Sequence, residues 1–229
     1  MGEITILKPD ESDQQMKLGD LVLCRVTKEL VKIAYKLIKR GIRPAIKGRD
    51  IGKGLKALLD VLVKRVDVIK TLLEDPSDIH KRDRVIVELH RYRHEELGKL
   101  ALQGSKAEGR IESLNDKCDC MNEFLVNSST LEEVEQRIHT LFNDKEKPEN
   151  VVTLGTVHRT KGLESERIFV LAPDMIPHPA AKNDWQILQE RNLAWVAVTR
   201  AKYDNAKGTP GTIFFCGMIP PIFNEVKKS

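Results

Sequence analysis

In the first fifty residues, short apolar runs alternate with a segment whose apolar residues recur at the spacing of a helix. Residues 20–24 form a run of the length of a buried strand. The next segment repeats apolar residues every three or four positions, which predicts an amphipathic helix with Thr27 as its N-terminal cap. A second short run spans residues 43–47. The order strand, helix, strand predicts the beginning of a parallel α/β sheet.

Helical spacing continues without strand signals through the middle of the chain. One long helix is predicted from a stripe of apolar residues: Leu55, Leu58, Leu59, Leu62, Val66, Ile69 and Leu73. Further helices are marked by Ile86 with Leu89, by Ile111, Leu114, Cys118, Met121 and Leu125, and by a capping box of Thr130 with Glu133. We therefore predict that residues 55–144 form a helical insertion.

Strand signals return after residue 150. Residues 151–154, 167–171 and 212–216 are rich in β-branched and aromatic residues and are predicted strands. A helix is predicted from residue 184 to residue 202. Residues 1–54 and 145–229 are thus expected to be the two parts of one α/β domain, interrupted by the insertion.

Composition narrows the class of protein. Hydrophobic residues make up 41% of the 229 and charged residues 31%, which argues against a disordered tail. No uncharged apolar stretch approaches the roughly 20 residues of a membrane span, and the first residues do not resemble a signal segment. We expect an intracellular, cytoplasmic protein. The net charge of +4 permits a nucleic-acid partner without requiring one.

Cysteine usage agrees with that compartment. Four cysteines are too few for a disulfide scaffold in a chain of this length. Cys118 and Cys120 are one residue too close for a zinc knuckle, and no matching pair follows them, so we expect no metal site. Cys118 falls instead on the apolar stripe of a predicted helix.

Two basic runs lie on predicted helices of the insertion. They span residues 81–84 (KRDR) and 90–94 (HRYRH). A charge run is ordinarily a solvated helix face, and the alternative is a surface for a nucleic acid or a protein partner. The sequence leaves both interpretations open.

Two charged segments near the C-terminal end carry the strongest functional signal. Residues 156–164 (TVHRTKGLE) join a predicted strand to an apparent helix through polar, basic and glycine residues. Residues 189–201 (QERNLAWVAVTRA) end a helix with a Thr-Arg pair where the apolar pattern stops. Places of this kind bind anionic ligands.

These segments resemble the fifth and sixth signature motifs of superfamily 1 DNA helicases of the UvrD/Rep/PcrA type. Residues 156–164 fit the pattern T-x-H-x-x-K-G-L-E, and residues 193–201 fit L-A-[YW]-V-x-[VI]-T-R-A. In that family both motifs lie in the second, C-terminal, of two RecA-like motor domains. The resemblance implies a RecA-like parallel sheet flanked by helices, with the helical insertion. It also implies an ATP-dependent DNA helicase or translocase that moves 3′ to 5′.

The resemblance assigns the nucleotide roles. Arg200 is the catalytic arginine at the γ-phosphate, Glu164 reaches the ribose, and Gly162 lets the backbone pass close to the nucleotide. An arginine supplied across a domain interface contributes about 10³ to 10⁵ in rate to phosphoryl transfer, and its guanidinium forks onto phosphate oxygens. The alternative for Arg200 is an ion pair at the helix end, with Glu190 as its partner.

The resemblance also assigns contacts with DNA. Thr156 and His158 touch the DNA backbone, and Lys161 adds positive charge beside them. Arg25 follows the first predicted strand and is a further candidate for backbone contact. His178 resembles a histidine near DNA in some relatives, although a single histidine in a loop is ordinarily only solvated.

Trp195 occupies the aromatic position of the sixth motif. The neighbouring helix positions are apolar, which favours packing inside the domain. Stacking on a DNA base is the alternative interpretation.

Parts of a complete motor are missing from the sequence. No G-x-x-x-x-G-K-[ST] segment occurs, and the glycine-rich residues 48–54 lack both its spacing and its hydroxyl residue. The resemblance therefore implies ATP and Mg²⁺ as cofactors of a complete enzyme whose Mg²⁺ ligands lie outside this chain. The implied partners are single-stranded DNA and an N-terminal RecA-like domain that carries the Walker A and B motifs.

The chain alone is expected to be inactive as an ATPase. A second hypothesis is a non-catalytic module that binds DNA or a repair partner with a retained helicase fold. Arg200 and Glu164 argue against it, because binding alone does not require a γ-phosphate contact.

Overall fold

The computed structural model describes residues 3–73, 81–142, 145–204 and 208–223. The chain forms two compact units, one from residues 49–142 and the other from the segments on either side. The boundary falls at Gly48, so the helix that opens the middle unit begins at Arg49, before the Leu55 at which we placed its start.

A six-stranded parallel sheet organises the first unit. Its strands are β1 Ile4–Leu7, β2 Leu21–Cys24, β3 Pro44–Ile46, β4 Val152–Thr156, β5 Arg167–Leu171 and β8 Thr212–Cys216. Their order across the sheet is β1, β8, β5, β2, β4, β3, and each neighbouring pair runs parallel. The predicted parallel α/β sheet is confirmed. A two-stranded antiparallel ribbon is formed by β6 Tyr203–Asp204 and β7 Thr209–Pro210.

Strand β1 is the one member of this sheet that the sequence analysis did not predict. It is four residues long, lies at the edge of the sheet beside β8 and is partly exposed, with Ile6 65% exposed. Central strand β2 is buried at every position. Central parallel strands are covered on both faces and are therefore continuously apolar, whereas an edge strand gives a weaker pattern.

Helices α1 Thr27–Lys39 and α6 Asp184–Val198 belong to this unit. The prediction that Thr27 caps α1 is wrong. The cap position is Val26, in the extended conformation, and Thr27 is the first helical residue with its side chain buried. Helix α6 begins with a capping box between Asn183 and Gln186, and it ends at Val198, four residues earlier than predicted.

Among its described residues, the second unit contains the four predicted α-helices: α2 Arg49–Leu73, α3 Lys81–Ala101, α4 Glu108–Val126 and α5 Leu131–Leu141. The predicted stripe of α2 is buried from Leu55 to Val66, and the side chains of Ile69 and Leu73 lie outside the described residues. Half of the predicted capping box of α5 is confirmed, since the Glu133 amide donates to Thr130 Oγ1 at 3.2 Å. The Glu133 carboxylate accepts instead from the Ser129 amide, at 2.6 Å. None of the described helices has the length and apolarity that crossing a membrane requires.

Arginines of the two basic runs make ion pairs within the second unit. Arg91 binds the buried carboxylate of Glu88 at 3.1 Å, and Arg93 binds Asp119 at 2.7 Å. Arg82 donates to the carbonyl oxygen of Ser128 at 2.7 Å. These contacts connect neighbouring helices or turns, and they favour a structural role for the runs. A partner surface there stays an untested prediction.

Candidate functional site

The carboxyl ends of three adjacent strands bring several of the predicted DNA-contact residues to one edge of the sheet. Thr156 ends β4, Arg25 follows β2, and His178 lies in the loop after β5, while β5, β2 and β4 are consecutive in the sheet. Ligands of open parallel sheets bind beyond these carboxyl ends. His158 is exposed in the short 3-10 turn Val157–Arg159, and Thr156 is 8% exposed.

Arg25 is held at this edge by a buried carboxylate. Its Nε lies 3.0 Å and its Nη2 2.9 Å from Glu190 Oε1, with side chains only 14% and 6% exposed. The backbone amide of His178 donates to the other oxygen, Oε2, at 3.1 Å. Glu190 of α6 therefore binds the loop after β2 and the loop after β5. The alternative ion pair between Glu190 and Arg200 is wrong.

The segment after β4 must return to the opposite edge of the sheet, where the amino ends of the strands lie, because β5 runs parallel to β4. Thr160 starts this return and is fully buried, with its hydroxyl donating to the carbonyl oxygens of Thr156 at 3.3 Å and Val157 at 3.2 Å. Gly162 follows with φ of 88°, and no atom lies within 4 Å of the position that a β-carbon would occupy. Lys161 and Glu164 on either side of it are exposed.

Backbone hydrogen bonds join the two sequence motifs at this opposite edge. The amide of Ser165 donates to the carbonyl oxygen of Arg200 at 3.1 Å, and the amide of Lys202 donates to the carbonyl oxygen of Ser165 at 3.0 Å. The Ser165 hydroxyl also donates to the carbonyl oxygen of Gly19 at 2.8 Å, just before β2. Glu164 directly precedes Ser165, so the structure brings the neighbourhoods of Glu164 and Arg200 together.

The Arg200 side chain rests on the end of its own helix. Nε donates to the carbonyl oxygen of Val196 at 3.0 Å, and Nη2 donates to Thr199 Oγ1 at 3.2 Å. Within the described part of the chain, no carboxylate forms an ion pair with this guanidinium, and the residue is partly exposed. The site thus combines a cation that has no acidic partner there, an exposed carboxylate and a glycine turn, which suits a ligand bearing phosphate and hydroxyl groups.

Trp195 does not pack inside the domain, and that prediction is wrong. It is 43% exposed, whereas Ala194 and Ala197 of the same helix are buried in the core with Val157. Helix α6 carries apolar residues on more than one face, since Trp185 is also 59% exposed. Apolar neighbours in the sequence therefore did not identify its buried face.

Two functional features were missed by the sequence analysis. Glu190 was considered only as a partner of Arg200, and Ser165 was not considered. The contacts of both join segments far apart in the chain, with Arg25 and Glu190 separated by 165 positions. The sequence held no signal for Glu190, because exposed apolar residues such as Trp185 and Trp195 hide the buried face of α6.

The parallel sheet and the joined motifs define a RecA-like α/β domain. The family described as the UvrD-like helicase C-terminal domain matches residues 35–204, and the chain belongs to this family.

Three relatives illustrate this similarity. The chain is 28% identical over 194 residues to the ATP-dependent DNA helicase UvrD1 of Mycobacterium leprae, an alignment that covers 74% of this chain and 24% of that protein. It is 40% identical over 73 residues to UvrD1 of Mycobacterium tuberculosis, covering 29% of this chain and 10% of the relative. It is 38% identical over 64 residues to the ATP-dependent DNA helicase PcrA of Staphylococcus aureus, covering 26% and 9%. The chain thus spans about a quarter of the length of the Mycobacterium leprae relative.

Proposed function

We propose that this chain is the second motor domain of an ATP-dependent DNA helicase or translocase. The observation that carries the proposal is the backbone pairing of Ser165 with Arg200 and Lys202, which joins the two charged motifs. Membership in the UvrD-like family supports it, as do relatives that are named ATP-dependent DNA helicases. The activity belongs to a complete protein that also contains a first RecA-like domain.

Arg200 is the residue proposed to contact the γ-phosphate of ATP held by the first domain. ATP supplies the phosphoryl group whose transfer to water drives movement. The guanidinium stabilises negative charge on that group, and it has no carboxylate partner among the described residues that must first be displaced. Glu164 accepts hydrogen bonds from ribose hydroxyls, and Gly162 turns the backbone beside it. The Walker motifs and the Mg²⁺ ligands belong to the first domain.

The edge of the sheet at the carboxyl ends of β4, β2 and β5 is the proposed path of single-stranded DNA. Thr156 and His158 contact its phosphates at the end of β4, with Lys161, Arg25 and His178 as further candidates. Contacts of this kind hold the strand without reading its sequence. Movement 3′ to 5′ follows from the family resemblance alone.

The test combines this chain with its cognate first motor domain and measures ATP hydrolysis with and without single-stranded DNA. We expect negligible turnover by the chain alone and DNA-stimulated turnover by the combination. Arg200→Ala is expected to lower that turnover by about 10³ or more, since an arginine supplied in this way contributes that much. His158→Ala is expected to weaken DNA binding and to leave the DNA-independent turnover unchanged.

Two outcomes contradict the proposal. Robust DNA-stimulated turnover by the purified chain alone, abolished by Arg200→Ala, shows that no second domain is needed. DNA binding with no gain in turnover by the combination favours the non-catalytic module instead.

A further inference from the structure

We infer that Glu190 is a positioning residue, which fixes the loops at the proposed DNA edge by holding Arg25 and the backbone amide of His178. The inference rests on the proposed function, because it concerns the same DNA edge. It also gives Arg25 a different task from a direct phosphate contact.

The contacts of Glu190 use both carboxylate oxygens. Oε1 accepts from Arg25 Nε at 3.0 Å and Nη2 at 2.9 Å, and Oε2 accepts from the His178 amide at 3.1 Å. A guanidinium presents its donors in a rigid fork, so this pairing fixes orientation as well as distance. Both side chains are largely buried, at 14% and 6% exposure, which protects the pair from screening by salt.

Helix α6 touches all three loops of the proposed DNA edge. Glu190 reaches the loops after β2 and β5, and Ala194 and Ala197 share a core cluster with Val157, which lies between Thr156 and His158. The same helix leads into Arg200, whose carbonyl oxygen binds Ser165. One rigid helix is therefore fixed both at the DNA edge and at the opposite edge, where Glu164 and Arg200 are proposed to contact the nucleotide. Glu190 is its charged connection to the DNA edge.

The binding of oligodeoxythymidylate to the intact chain tests the inference, by fluorescence anisotropy. Glu190→Gln raises the net charge of +4 by one unit, so simple electrostatics predicts equal or tighter binding. A positioning role predicts the reverse, about tenfold weaker binding, because glutamine cannot accept from the whole fork and the amide together. The matched control is Glu149→Gln, an exposed carboxylate with the same change in charge, which is expected not to weaken binding.

Arg25→Lys separates positioning from direct contact. Lysine keeps the charge for a phosphate but lacks the fork, so a direct contact predicts nearly unchanged binding and positioning predicts a loss similar to that of Glu190→Gln. The salt dependence gives a second measure. Arg25→Gln lowers the slope of log K against log salt by about 0.7 if Arg25 touches a phosphate of single-stranded DNA, and leaves it unchanged if it does not. The double variant Arg25→Lys/Glu190→Gln is expected to bind no more weakly than either single variant.

The outcomes distinguish this inference from the proposed function. No binding by the unaltered chain contradicts the proposed function itself. If the unaltered chain binds, and Glu190→Gln binds as strongly as Glu149→Gln, only the positioning role is overturned. Circular dichroism monitors folding of every variant. Loss of the folded spectrum in both Glu190→Gln and Arg25→Lys also overturns the inference, since the pair is then only structural.

Discussion

The methyl group of Thr160 occupies the space in which a side chain at Gly155 would lie. A β-carbon added at Gly155, within β4, would be 2.5 Å from Thr160 Cγ2. Thr160 is fully buried, and its hydroxyl is bound to two carbonyl oxygens at the start of the return segment. The close approach of strand and turn therefore depends on a glycine opposite a methyl group.

Gly155→Ala is expected to destabilise the domain by about 1–3 kcal/mol, the usual cost of overpacking. Thr160→Ser removes the methyl group, keeps the hydroxyl and is expected to relieve most of that cost in the double variant. Urea unfolding of the four proteins measures the coupling between the two positions. Additive free energies of unfolding would show that the two positions do not conflict.

The Asp20 carboxyl makes stability depend on pH. Burial raises its pKa to about 6 from an ordinary 3.8, although the Lys17 amide and Arg167 act in the opposite direction. The folded state thus holds the proton more tightly than the unfolded chain. This contribution is complete below about pH 4 and is lost as the pH rises through 6. Two pKa units correspond to about 3 kcal/mol.

Asp20→Asn is expected to remove this dependence. The stability of the unaltered chain minus that of the variant should fall between pH 4 and pH 6, as measured by urea unfolding at several pH values. Asp10→Asn, at an exposed position, is the control and is expected to preserve the slope. A difference that stays constant or rises over this range contradicts the assignment.

Local patterns predicted most of the sheet, because each buried strand is recognisable from its own residues. The predicted strands at residues 167–171 and 212–216 coincide with β5 and β8. Strand β1 was missed because an edge strand buries only part of its surface. Thr27 was misplaced because a threonine before a helical stripe is equally compatible with the cap and with the first helical position.

The candidate site depended on contacts that local patterns do not encode. Motif resemblance selected Thr156, Glu164 and Arg200, and their proposed roles stay predictions. The ion pair of Arg25 with Glu190 depends on how distant segments pack. Such a pair leaves no periodic signal in the sequence, so only the folded chain shows it.

The buried carboxylate of Glu88 is expected to stabilise the helical unit. Its carboxylate is 4% exposed and binds Arg65 at 2.9 Å and Arg91 at 3.1 Å. Glu88→Gln is expected to cost about 1.5–3 kcal/mol, the range for hydrogen bonds to charged groups. The same substitution at Glu135, whose pair with Lys56 is about half exposed on both sides, is expected to cost less, because solvent screens an exposed pair. Thermal unfolding compares the two, and equal costs would contradict the importance of burial.

Substitutions at Gly162 are expected to strain the backbone without causing a steric clash. Its φ of 88° is unfavourable for other residues, yet no atom lies within 4 Å of an added β-carbon. Asparagine tolerates positive φ better than alanine, and a β-branched residue tolerates it least. We expect the loss of stability to rise from Gly162→Asn to Gly162→Ala to Gly162→Val in urea unfolding. Similar losses for all three would indicate that the turn relaxes.

The exposure of Trp195 is measurable by fluorescence. The chain has two tryptophans, so Trp185→Phe leaves Trp195 as the single reporter. At 43% exposure its emission should be shifted to long wavelength and quenched by iodide. Trp195→Ala should change the free energy of unfolding by less than about 1 kcal/mol, as surface substitutions usually do. Phe215→Ala is the contrasting control, because Phe215 is fully buried and its loss should cost about 3–5 kcal/mol. Short-wavelength emission that resists iodide would contradict this placement, and quenching by oligodeoxythymidylate would support the base-stacking alternative.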